Sequence, residues 1–186
     1  MRFAGSLLAA LVTATTTQLV VASNATFRSS RVAVHIPFNL HDPNGEEHVQ
    51  AEFGFTQDIG SISQYLFYTN TYLCDPIVNH TQGFPSGGFK RTFIMMADRG
   101  SQEVDPCSFV TKARHAQQAG AAALVISDTR CPCSDQACLN EQNTDECVES
   151  SPALVNDGSG ADVSIPSFLI HKNVADKIKK ELKNDQ

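Results

Sequence analysis

Two apolar runs, Phe93 to Ala97 and Ala122 to Ser127, are the strongest pattern along the chain. Neither alternates with polar residues, which is the mark of strands covered on both faces, and together they predict neighbouring parallel strands. Between them the period changes. Ser108 is placed to cap a helix whose Phe109, Ala113, Ala116 and Gly120 fall at four-, three- and four-residue steps, with Lys112, Arg114, His115 and Gln118 mostly turned outward. The inward stripe is built of small residues, so the helix is expected to lie close to the sheet. Gly120 supplies the left-handed residue that ends it. Thr92 to Asp128 therefore reads as one strand, loop, helix, strand unit with Cys107 in its loop.

Weaker patterns flank this unit. Arg31 to Phe38 alternates Val32, Val34 and Ile36 with polar partners, and Glu47 to Phe53 and Gln64 to Thr69 are also strand-like, separated by Pro, Asn and Gly turn signals. Ile165 to Ile170 forms a last apolar strand with Pro166 near its start, and Val174, Ile178 and Leu182 at four-residue steps predict a terminal amphipathic helix capped by Asn173. A β-rich first half, a βαβ unit and a short final helix make the fold class mixed α/β (α+β).

The residues of the central unit carry a resemblance. Asp98-Arg99-Gly100, Cys107-Ser108-Phe109, Lys112, Ala116-Gln117 and Ala119-Gly120-Ala121, followed further on by Ile165-Pro166-Ser167, a strand and a short helix, resemble the protease-associated (PA) domain. The resemblance covers most of Val32 to Leu182, and within the family the Asp-Arg-Gly loop and helix end look closest to the luminal PA domain of vacuolar sorting receptors. It implies a β-rich open barrel or sandwich containing the βαβ unit. It also implies an accessory module, a lid, spacer or docking surface, rather than a catalytic body. In the sorting receptors the Arg-Gly-x-Cys loop is implicated in cargo recognition, which by position singles out Arg99, Gly100, Cys107 and Phe109. Here Ser101 to Pro106 lengthens that loop. Related PA domains often carry a bridge that would join Cys74 to Cys107.

Arg2, an uncharged stretch through Leu7, Leu8, Leu11 and Val12, and the small-residue site Val20-Val21-Ala22 predict a cleavable signal peptide over 1–22. Residues 23–30 then form an N-terminal segment and 31–186 the domain. Thr13 to Gln18 interrupts the apolar stretch with polar groups, against a membrane anchor, and no later run is long enough to span a bilayer. The mature chain is expected in the secretory pathway, outside the cell or in an endomembrane or vacuolar lumen. Removing 1–22 leaves 13 Lys and Arg against 20 Asp and Glu, a charge near −7. With no basic stripe and no zinc-finger or helix-turn-helix pattern, nucleic acid is excluded as a partner. Asn24-Ala-Thr and Asn79-His-Thr are glycosylation sequons, of which Asn79 is the more exposed candidate.

Six cysteines behind a signal peptide imply disulfides. Cys131, Cys133, Cys138 and Cys147 fall in an acidic insertion over 129–152, whose spacing fits a structural zinc site poorly. Two connectivities stand, Cys131 to Cys147 with Cys133 to Cys138, which is preferred, or Cys131 to Cys138 with Cys133 to Cys147. Bridges there would replace a core the insertion lacks.

No G-x-S-x-G elbow, H-E-x-x-H helix or P-loop occurs. His115 with Asp98 reads as a solvated helix histidine rather than a base. His41, Asp42, Glu46, Glu47 and His48 around Pro43-Asn44-Gly45 read as a turn, and Asp157 to Asp162 lacks the closing Glu of a calcium loop. No cofactor or metal is expected. The expected function is non-catalytic binding of a protein or peptide. The alternative is a fragment or regulatory subunit of a secreted or vacuolar protease, which would make that protease the partner.

Overall fold

The computed structural model of the chain describes residues 30–35, 37–54, 61–77, 84–85, 87–101, 105–130 and 153–184. The expected signal peptide, both sequons and the four cysteines of the expected insertion lie outside them. Five strands, β1 (His48–Gln50), β2 (Tyr65–Tyr68), β3 (Phe93–Asp98), β4 (Ala123–Ser127) and β5 (Ser167–Ile170), form one mixed sheet in the order β1-β5-β4-β3-β2. β2, β3, β4 and β5 are mutually parallel, and β1 closes one edge antiparallel to β5. The expected mixed α/β fold is what the chain adopts, with its β-rich part gathered into this single sheet.

The continuous apolar runs are explained by helices on both faces. Phe93, Met95 and Ala97 point to one side, with Leu124, Ile126 and Leu169, and pack against Val110, Ala113 and Ala116 of α1 (Phe109–Gln118). Met96, Val125 and Ile170 point to the other, against Val174, Ala175 and Ile178 of α2 (Lys172–Asn184). Met95, Met96, Ala97, Leu124 and Ile126 are fully enclosed. Each such large side chain contributes about 1.5–3 kcal/mol of transfer free energy. α1 begins as expected: the Ser108 hydroxyl accepts from Thr111 N at 3.1 Å, and Gly120, at φ 87°, turns the chain into β4.

Three expectations need correction. Lys112 does not face outward but is fully buried. The alternation over 31–38 gives no strand among its described residues, only an isolated Val32 to Glu46 bridge followed by a 3-10 turn at Phe38–Leu40. Val32 and Val34 still pack on the second core, but Pro37 has no N–H to continue a ladder and Phe38 turns out to solvent. Finally, α2 starts at Lys172, with His171 O accepting from Ala175 N at 2.9 Å, so Asn173 lies inside the first turn rather than capping it.

Candidate functional site

The carboxyl ends of β2, β3 and β4 meet at one rim of the sheet, where open parallel sheets place their binding crevices. Asp98, the last residue of β3, links both layers. On the α2 side its carboxylate accepts from Tyr68 Oη at 2.9 Å and pairs with Lys179 Nζ at 2.7 Å, and Lys179 also lies over the Tyr68 ring. Burial first, and the Asp98 charge second, push the Tyr68 phenol well above its ordinary pKa. On the α1 side the Asp98 carbonyl accepts from Lys112 Nζ at 3.2 Å.

Lys112 also donates to Tyr72 O, and that bond is one of several holding residues 69–74 down as a strap over the rim. Asp98 N donates to Thr71 O at 2.9 Å, the Thr71 hydroxyl bonds Thr69 Oγ1 at 3.1 Å, and Leu73 is buried at φ 55°, a conformation that bulky residues adopt only under tertiary constraint. His115 Nδ1 lies 3.0 Å from Leu73 O, so that nitrogen carries the proton. A disulfide joins Cys74 to Cys107 at the mouth of α1, as the sequence resemblance implies. Burial lowers the Lys112 amine to about 8, against the opposing pull of Asp105 and Asp98. His115 is thus a strap anchor, and Asp98 faces Tyr68 and Lys179.

Beyond Asp98 the chain enters a compact charge cluster. Arg99 is 8% exposed. Its Nε lies 3.3 Å from Asp105 Oδ1, its Nη1 lies 3.4 Å from the buried Asp128, and its guanidinium is 5.8 Å from the centre of the Phe109 ring. Arg130 Nη2 donates to the same Asp105 oxygen at 2.9 Å, while its Nε donates to Ser101 O at 3.1 Å. Gly100 is buried, and its carbonyl accepts from the Thr129 hydroxyl at 2.6 Å. The structure therefore brings Arg99, Gly100, Cys107 and Phe109 to one place, but with Arg99 enclosed between two carboxylates rather than open to solvent.

Asp128 and Arg130 were not singled out in the sequence, and Lys112 was read there as facing outward. Lys112 had a signal, since it stands three residues after Phe109 and four before Ala116, on the buried stripe. Asp128 had another, as the polar residue ending an unbroken buried strand. Elsewhere, the 42–45 segment is a turn, with Gly45 N donating to Asp42 O at 3.1 Å and Asp42 Oδ1 accepting from Asn44 N. Hydrogen bonds from Ser108 and Ser159 hold the Asp157 carboxyl down at about 2, and Asp162 forms a two-point pair with Arg114. Among the described residues no three His, Cys, Asp or Glu side chains are placed to share a metal ion, and no helix is long and apolar enough to cross a membrane.

Comparison with known proteins places these features in a family. A family model described as the PA domain matches residues 65–178, more than half of the chain and all of the rim. Vacuolar-sorting receptor 7 of Arabidopsis thaliana is 35% identical over 91 residues, which is 49% of this chain and 12% of the receptor. Vacuolar-sorting receptor 3 of the same plant is 27% identical over 132 residues, 70% of this chain and 19% of the receptor. The chain thus spans less than a fifth of the length of these curated relatives. Among solved structures, a zinc aminopeptidase from Bacillus subtilis is similar at 19% identity and a TM-score of 0.43, over 71% of this chain and 25% of that one.

Proposed function

Because this chain belongs to the PA domain family, we propose that it is a non-catalytic module of the secretory pathway, extracellular or luminal, that docks a protein or peptide at the rim formed by the 69–74 strap and residues Arg99, Gly100 and Phe109. The observation that supports this reading is the convergence of those residues at the carboxyl ends of β3 and β4, inside the segment matched by the PA domain model. The strap is pinned by a disulfide, a buried lysine and a histidine, so the rim is held in one shape before any partner arrives, which lowers the ordering cost of binding. The sorting-receptor relatives support placement in the endomembrane system and a role in recognising another protein.

The experiment is a pull-down from secretory-pathway extract with the immobilised domain, comparing the parent with Arg99→Lys. Alanine is unsuitable here, because it would leave the buried Asp128 carboxylate unpaired and destabilise the fold. Lysine keeps the charge against Asp128 and removes the planar fork. Partners that the parent retains and Arg99→Lys loses support the reading. Equal recovery from both, or none from either, defeats it.

A further inference from the structure

Asp105 occupies an unusual position for a loop carboxylate. Its Oδ1 is shared by two guanidiniums, Arg99 Nε at 3.3 Å and Arg130 Nη2 at 2.9 Å, while its own side chain remains 34% exposed. The arginines are more enclosed than the acid they hold, with side chains 10% and 22% exposed. Asp128, at 3%, is the permanent buried counter-ion of Arg99, fixed further by accepting from Arg130 N at 3.0 Å. The cluster is therefore neutral as it stands, two cations against two anions, but only one of those anions is at the surface. Taking Asp105 away leaves two donor-bearing cations facing solvent above a single buried carboxylate. That arrangement attracts one further anion of carboxylate geometry.

We infer that Arg99 and Arg130 form a clamp for a carboxylate of a docked polypeptide, an acidic side chain or a chain terminus, and that Asp105 fills this clamp in the free protein as an internal competitor. The inference rests on the reading of this rim as the docking surface. Binding then exchanges one carboxylate for another. The Arg99 to Asp128 pair stays intact beneath, Phe109 keeps its place under the Arg99 guanidinium, and the rim needs no rearrangement beyond the Asp105 side chain. A ligand that must displace an internal group binds more weakly by the fraction of time the clamp is open, so removing Asp105 should raise affinity for carboxylates by about tenfold or more. The gain should be confined to carboxylates, since a neutral amide cannot replace the lost charge.

The test uses the mature domain with arginine side-chain Nε–H resonances followed by NMR, titrated with N-acetylglycine and, separately, with N-acetylglycinamide. In Asp105→Asn, N-acetylglycine should shift the Arg99 and Arg130 signals and bind at least tenfold more tightly than in the parent, while the amide moves neither. Asp105→Ala should behave like Asp105→Asn, and Asp105→Glu, which retains a carboxylate, should stay close to the parent. Equal affinity of parent and Asp105→Asn for N-acetylglycine overturns the inference, as does an equal gain for the amide. A partner recovered from extract alongside no carboxylate gain would reject the clamp alone. A carboxylate gain with no recovered partner would reject the docking reading instead.

Discussion

Replacing Lys112 by methionine should destabilise the domain, and by an amount that grows with pH. The methionine fills much of the same volume but leaves two carbonyls, Tyr72 O and Asp98 O, without the amine that bonds them. An unsatisfied buried acceptor costs about 1–3 kcal/mol. At neutral pH part of this loss is offset, because the variant no longer keeps a charged amine out of water, so a net cost of about 1–3 kcal/mol is expected. The folded-state pKa of about 8 lies below the ordinary value of 10.5, so between those limits the unfolded chain holds more protons than the folded one. Stability of the parent therefore gains from Lys112 as pH rises through that window, by at most about 1.4 kcal/mol per pH unit and, after solvent screening, by about 1–2 kcal/mol in all. Urea unfolding of parent and Lys112→Met at pH 7 and pH 9.5 measures both effects. A variant as stable as the parent at both values, or a difference that shrinks as pH rises, would refute the assignment of Lys112 as a buried strap anchor.

Cys74→Ser should lower stability by about 2–5 kcal/mol through loss of the bridge to Cys107, read from urea midpoints without reductant. Thiol titration of the denatured, unreduced mature protein should find no free thiol among the six cysteines, and four reactive thiols with bound zinc would overturn the expectation for the 129–152 insertion. Asp98→Asn should cost about 1–3 kcal/mol, because Lys179 loses its counter-charge, and should let Tyr68 ionise at lower pH than in the parent, seen by tyrosinate absorbance. The purified domain should not hydrolyse peptide or ester substrates, and turnover that survives purification and disappears in His115→Ala would contradict the non-catalytic reading.

The central βαβ unit was legible because its signals are local and agree with one another. A cap at Ser108, a stripe of small residues, a glycine after the helix and two unbroken strands all point the same way. The strap was not, because Leu73 at φ 55° and its neighbour Tyr72 are held through their carbonyls by donors far away in sequence, Lys112 and His115 forty or more residues on. Lys112 misled for the same reason. A lysine on a helix is ordinarily solvated, and only the two carbonyls brought by the strap and β3 make its burial tolerable. Residues 31–38 show the opposite failure, since alternation records which side of a segment is buried, not whether a neighbouring backbone is present to pair with it. At the rim, Arg99 was legible as a residue of interest. Its buried counter-ion Asp128 and the second arginine were not, since Asp128 and Arg130 are brought beside it only through the pairing of β3 with β4.

The most direct measurement is the affinity of the parent and of Arg99→Lys for a partner recovered from extract, with the partner's intact mass recorded before and after incubation. A lost fork of charge-assisted hydrogen bonds is worth about 1.5–3 kcal/mol, so the account predicts binding at least tenfold weaker in Arg99→Lys, with melting close to that of the parent and the partner's mass unchanged. Equal affinity in the two proteins, or a partner cleaved on incubation, would contradict it.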